Sequence, residues 1–251
     1  MDASISLKIG DPVCKDGKKI IRIDTEYDGK RPIVSYKSKN KLVLYPGDKE
    51  RRADIIFGSS GSGKSYFAYH SIIKPYKQKY KDRPVYLISP KDDDPLFKEG
   101  NGIIQLCIDD DNFIDDDKID LDELGDAETG EGSLVLFDDI ESIADNKLKK
   151  GVYDLMNNIL IRGRSMNISI CVIVHIALGG ASTKILLNES KTFTFFPGRS
   201  PTKTIKYVLE EYGGMEKKQV EKILTIRGTR AITYNKTWPS WIMTDNSLTL
   251  I

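Results

Sequence analysis

From residue 53 onward the chain alternates short apolar runs with longer stretches of helical spacing. The runs are Ala53-Asp-Ile-Ile-Phe57, Pro84-Val-Tyr-Leu-Ile-Ser89, the weaker Ile103-Ile-Gln-Leu-Cys107, Ser133-Leu-Val-Leu-Phe137, Ile168-Ser-Ile-Cys-Val-Ile-Val174 and Thr192-Phe-Thr-Phe-Phe196. Such runs predict strands buried on both faces. Between and after them the spacing predicts helices over 65–74, 147–162, 202–212 and 215–225. Strands alternating with helices predict an α/β fold, a mostly parallel sheet flanked by helices. The segments around 20–24, 32–36 and 42–45 are short, alternating and punctuated by Gly and Asp, which predicts a small β-rich region over 1–50. Arg230–Asn235 and Trp241–Thr244 predict a C-terminal β-hairpin. The expected division is therefore 1–50 and 51–251.

Composition adds bounds. The 251 residues are 39% hydrophobic and 30% charged, an ordinary globular balance with ample apolar content for a core. No apolar run is long enough to span a membrane, and Met1-Asp-Ala-Ser-Ile-Ser6 lacks the basic and apolar parts of a signal peptide. Cys14, Cys107 and Cys171 are scattered without metal spacing, as expected of buried, reduced thiols in an intracellular protein.

The net charge of +1 conceals an asymmetry: residues 91–144 carry −16, and residues 145–251 carry +8. A basic surface of this kind can meet a polyanion. The acidic stretch 109–132 lacks the spacing of a calcium loop, with its central glycine and terminal glutamate, and is expected to be a mobile, solvated loop.

Gly58-Ser59-Ser60-Gly61-Ser62-Gly63-Lys64-Ser65 matches the phosphate-loop pattern G-x-x-x-x-G-K-[ST] at every position. Small residues let backbone N–H groups curl round phosphate oxygens. Lys64 supplies a point charge to the β/γ-phosphates, and the Ser65 hydroxyl can ligate Mg²⁺. A strand before the loop and a helix after it, opening at Ser65 and Tyr66, complete the setting for ATP.

The strand Leu134–Phe137 runs into Asp138-Asp139, the signature of a second phosphate-site strand (Walker B). Asp138 can hold Mg²⁺ through a water, and Asp139 can polarise the attacking water. Glu141 is close in sequence but needs a turn to present it. His175 ends an apolar strand, where a side chain can reach a γ-phosphate or read as a core-edge histidine. His70 is read as structural. Arg162, Arg164 and Arg199 are the arginine-finger candidates, Arg164 foremost. Trp238 and Trp241 are read as sheet packing rather than base stacking.

In the order of these pieces the chain resembles the genome-packaging ATPases of large DNA viruses, the poxvirus type and its relatives, in the HerA–FtsK group of RecA-like motors. The resemblance rests on Ile55-Ile-Phe-Gly58 leading into the phosphate loop, Val85-Tyr-Leu-Ile-Ser-Pro90, Leu136-Phe-Asp-Asp-Ile140, and Gly163-Arg164-Ser165 followed by Asn167, Ser169 and His175. Two departures stand out. His175 replaces the family's glutamine, and Leu186-Leu-Asn188 replaces its Arg-x-Asn. The resemblance implies a RecA-like fold, a homo-oligomeric ring, a hexamer in that family's manner, and ATP- and Mg²⁺-dependent pumping of double-stranded DNA. It also implies capsid or portal-vertex partners, and a place in the virion or host cytoplasm. Two other readings stay open from the residues: a small P-loop phosphotransferase such as a nucleotide kinase, and a non-catalytic assembly protein that binds ATP.

Overall fold

A computed structural model describes residues 3–47, 51–91, 94–97, 102–115, 118–126, 128–129, 131–175 and 180–251, with the backbone alone for 180–182. The first strands are β1 (Ser4–Ser6), β2 (Asp11–Asp16), β3 (Lys19–Asp24), β4 (Ser35–Lys37) and β5 (Leu42–Leu44). The apolar runs become β6 (Ala53–Phe57), β7 (Val85–Ile88), β8 (Ile104–Leu106), β9 (Leu134–Asp138), β10 (Ser169–Val174) and β11 (Thr192–Phe195). The chain ends with β12 (Ile232–Asn235), β13 (Trp241–Met243) and β14 (Ser247–Leu250).

Ten of these strands share one sheet, in the order β4, β14, β13, β12, β11, β6, β10, β9, β7, β8. From β11 to β8 every neighbouring pair is parallel. From β4 to β11 every pair is antiparallel. The predicted hairpin is thus the middle of a larger antiparallel flank. Of its outer strands, β14 escaped the sequence reading because it is short, and β4, expected within the N-terminal β-rich region, instead pairs with β14 from the other end of the chain.

Both faces of the parallel block are covered, which explains the unbroken apolar runs. Along β10, Ile170, Val172 and Val174 point to one core, and Cys171 and Ile173 to the other. The first core is closed by α4 (Asn146–Arg162), α5 (Gly180–Glu189), α6 (Thr202–Tyr207) and α7 (Lys217–Thr225). The second is closed by one helical stretch, α1 (Lys64–Ala68), a π-helical turn (Tyr69–Ile73) and α2 (Lys74–Lys79). It is shared with the N-terminal sheet of order β1, β3, β2, β5, through Cys14, Ile21, Leu42 and Leu44. Asp16 ties that sheet to β4 and the segment leaving it, accepting from Tyr36 Oη (2.6 Å), Ser38 Oγ (2.8 Å) and Asn40 Nδ2 (2.8 Å). These bonds, Tyr36 foremost, hold its carboxyl below the usual range.

Three expectations change. The acidic stretch does not run as one solvated loop where it is described. It forms α3 (Asp110–Phe113), capped by the Asp109 carboxylate, and a 3₁₀ turn (Leu121–Glu123) capped by Asp120. Phe113, Leu121 and Leu124 anchor it in the same core as Val152 and Leu155 of α4. The carboxylates face water while the few apolar residues between them supply the burial. Cys107 is exposed rather than buried, unlike Cys14 and Cys171. Trp238 is exposed in the β12–β13 connection, and only Trp241 packs. No helix among the described residues is long and apolar enough to cross a membrane.

Candidate nucleotide-binding site

Strand register builds the site. Val174 pairs with Phe57, and Ile173 with Asp138. The next residues, Gly58 after β6, His175 after β10 and Asp139 after β9, therefore emerge together at the carboxyl edge of three adjacent strands, where open α/β sheets bind ligands.

The phosphate loop spans Gly58 to Lys64. A Cβ on Gly58 would lie 2.9 Å from Ser62 Oγ, so glycine permits the close turn. Gly63 has φ +98°, and a Cβ there would lie 2.3 Å from Arg230 Nη2. Ser59 is pinned to the segment after β11, its Oγ donating to Arg199 O at 2.6 Å. Lys64 then opens the helix, so unpaired helix N–H groups face the loop.

The Lys64 ammonium is buried within this edge. It donates to Gly58 O (2.9 Å) and Ser59 O (3.1 Å) and stands 3.4 Å from His175 Nδ1. An ammonium can only donate, so Nδ1 is the acceptor and the neutral ring carries its proton on Nε2. Nε2 lies 3.1 Å from Asp139 Oδ1, the acceptor this tautomer requires. Lys64, His175 and Asp139 thus form one chain of donors and acceptors. Burial pushes the Lys64 ammonium below the usual lysine value, opposed by Asp138, Glu141 and Asp139 in that order.

The two acids differ. Asp138 is buried, and burial pushes its carboxyl up to about 6, with Asp139 and Asp94 adding repulsion against the pull of Lys91 and Lys64. Asp139 feels burial in the opposite sense to its bonds. The bond from Lys91 Nζ (2.6 Å to Oδ2) and the His175 contact prevail and hold it below the usual carboxylate range.

The structure brings Gly58–Ser65, Asp138, Asp139 and His175 together. Arg199 sits exposed at the loop's rim. Arg164 lies elsewhere, in the turn between α4 and β10 at the amino edge of the parallel strands, near enough to Arg51 to bear on its charge. It cannot reach the phosphate loop of its own chain. Arg162 is exposed at the end of α4, on that same side.

Sequence reasoning missed Lys91 and Arg230. Lys91 follows β7 and reaches the acids only because β7 pairs with β9. Arg230 precedes β12, which runs antiparallel to β11, so its start lies at the carboxyl edge. Its guanidinium lies 4.6 Å from the centre of the Tyr66 ring, which also packs on His70 at 4.2 Å between centroids. Tyr66 and Arg230 together make an aromatic and cationic shelf beside Gly63. No residue pattern marks Arg230, because its place depends on the direction in which β12 pairs with β11.

The chain is 36% identical over 246 residues to uncharacterised protein V3 of Sputnik virophage, covering 92% of this chain and 95% of that one. The chain belongs to the family of that virophage protein. No family model matches the chain. Among solved structures, its neighbours include the genome packaging NTPase B204 of Sulfolobus turreted icosahedral virus 2 bound to ATPγS. That likeness covers 78% of this chain and 96% of that one at 12% identity, with a TM-score of 0.47. The pCW3 conjugation coupling protein TcpA with ATPγS is another, at 11% identity, 94% and 76% coverage and a TM-score of 0.49. The fold of this relative of the virophage protein is that of a P-loop NTPase, with a strand, a glycine-rich segment and a helix beside an acid-tipped strand of the same sheet.

Proposed function

We propose that the chain is an Mg²⁺-dependent ATPase that drives double-stranded DNA into a viral capsid. One observation carries the reading: Lys64, His175 and Asp139 are linked in a continuous chain of contacts at the edge that also carries the phosphate loop and Asp138. An arrangement that only bound a nucleotide would not need acids tied to the lysine.

The chain's residues fit a magnesium ion. Asp138 is a buried carboxylate at the strand's carboxyl end, pushed up to about 6 mainly by its burial, a cost that a cation beside it would offset. With Ser65 it would hold the ion, which needs few protein ligands when phosphates supply the rest. Held by Asp138 and Ser65, Mg²⁺ would supply positive charge to offset the charge developing on the transferring phosphoryl group. Lys64 exchanges its contacts with Gly58 O and Ser59 O for phosphate oxygens. Tyr66 and Arg230 support the base and ribose end of ATP.

The packaging role is supported by the order of motifs and by the +8 charge of residues 145–251, and the viral setting by the virophage relative. That charge would track the DNA backbone without reading bases. Arg164, remote from its own loop, suits a finger offered to the neighbouring subunit of a ring, a hexamer by resemblance. Capsid or portal-vertex proteins are the remaining partners, in the virion or host cytoplasm.

ATP hydrolysis measured with and without duplex DNA tests this. Turnover should rise with DNA, and the stimulation should fall steeply as salt rises. Turnover indifferent to duplex DNA in assembled protein would remove the motor.

A further inference from the structure

Asp139 follows β9 in a left-handed conformation, φ 55° and ψ 25°. The chain reverses there into a 3₁₀ turn, Ile140–Ser142. Lys149 of α4 fixes the turn, its Nζ donating to Glu141 O at 2.6 Å. The reversal carries the Glu141 side chain back to the end of β10, where Oε1 accepts from the His175 backbone N–H at 3.2 Å. Its other oxygen, Oε2, is buried and has no hydrogen-bond partner among the described residues. A buried carboxylate oxygen left unpaired is costly, and in a native site such an atom calls for a role.

Asp139 is differently placed. Lys91 holds one of its oxygens at 2.6 Å and His175 the other at 3.1 Å. An acid clamped by a cation and a ring N–H is a poor proton acceptor. Glu141 also bears on the Lys64 ammonium more strongly than Asp139 does. Its charge and that of Lys64 therefore act on one another across the crevice.

We propose that Glu141, through its unpaired Oε2, is the general base that takes the proton from the attacking water, and that Asp139 positions His175 and Lys91. The proposal rests on the ATPase reading above. The water oxygen forms a bond to the γ-phosphorus as its proton passes to Oε2. The bond from that phosphorus to the β–γ bridging oxygen breaks, and its electron pair leaves on ADP. Inorganic phosphate departs, and Glu141 returns the proton to solvent. Burial pushes the Glu141 carboxyl above the usual glutamate range, which strengthens it as a base.

The test compares wild type, Glu141→Gln and Asp139→Asn, with Mg·ATP and duplex DNA. Steady-state phosphate release and equilibrium ATP binding are read for each. Glutamine keeps the acceptor for His175 N–H, so Glu141→Gln should fold and bind ATP within about threefold of wild type, while turnover falls on the order of 100-fold or more. Asp139→Asn should lose less than about tenfold. The inference is overturned if Glu141→Gln turns over within about tenfold of wild type. It is equally overturned if Asp139→Asn falls as far as Glu141→Gln. A wild type that binds ATP without any turnover sinks both this assignment and the ATPase reading. An active wild type with an active Glu141→Gln sinks the assignment alone.

Discussion

Lys91 Nζ lies 2.6 Å from Asp139 Oδ2, joining the loops that leave the neighbouring strands β7 and β9. The lysine side chain is 51% exposed and the aspartate 11%, so one partner of the bridge remains largely in water. Exposed pairs of this kind contribute about 0–1 kcal/mol to stability. The bridge is therefore better understood as placing a cation beside the acids than as a brace for the fold. Lys91→Met should change the free energy of urea unfolding by less than about 1 kcal/mol. Turnover should fall about tenfold, because a preorganised charge near the transferring phosphoryl group is removed. Unchanged turnover would show that the cation plays no part in the chemistry.

Asp138 makes the metal-free protein sensitive to pH. Its folded carboxyl is pushed up to about 6, against an ordinary 3.8, mainly by burial. Between those values the folded chain holds a proton that the unfolded chain has released. The contribution to stability is thus fully present below the ordinary value and is lost as pH rises through about 6. The loss should be on the order of 2–3 kcal/mol. Unfolding curves in a chelator from pH 4 to 7.5 should show wild type losing this much relative to Asp138→Asn. Parallel pH profiles for the two would contradict the buried charge.

Asp54 sits in the central strand β6 among apolar neighbours, with a side chain only 2% exposed. Arg52 grips it with two bonds, Nε to Oδ2 at 2.6 Å and Nη2 to Oδ1 at 2.9 Å, and the Thr192 hydroxyl donates as well. Asp54→Ala would leave a largely buried guanidinium unpaired and should destabilise by about 3–5 kcal/mol. Arg52→Met combined with Asp54→Leu should recover most of that loss, since replacing a buried pair by apolar groups is often neutral. Chemical denaturation of wild type and the two variants decides the matter. A mild effect of Asp54→Ala alone would mean that water reaches the pair.

Much of the parallel block was legible because burial on both faces leaves an uninterrupted apolar run, as in Ser133–Phe137 and Ile168–Val174. The antiparallel flank was only half legible. β12 and β13 lie close in sequence, whereas β14 completes its pairing with β4, more than two hundred residues away in the chain. The acidic stretch misled because its composition is dominated by carboxylates, while its fold is decided by Phe113, Leu121 and Leu124. Helix α5 went unseen, since the expected run was read only for Leu186-Leu-Asn188 and not for its spacing.

The phosphate loop needed no tertiary context. Its spacing of glycines, with Lys64 and Ser65 at the end, encodes local backbone geometry, and local geometry is what a contiguous motif can specify. Asp138 was nearly as plain, since an apolar strand ending in acids places them at its carboxyl end. What surrounds the γ-phosphate side was decided by strand order alone. Pairing of β10 between β6 and β9 brought His175 to Lys64 and Asp139. Pairing of β7 with β9 brought Lys91, and the antiparallel entry of β12 brought Arg230 to Tyr66. Sheet register also left Arg164 at the opposite edge, where no reading of residue types could have put it. Contacts between distant segments depend on which strands pair and in which direction, and that choice is made by packing of the whole sheet rather than by any one stretch of sequence.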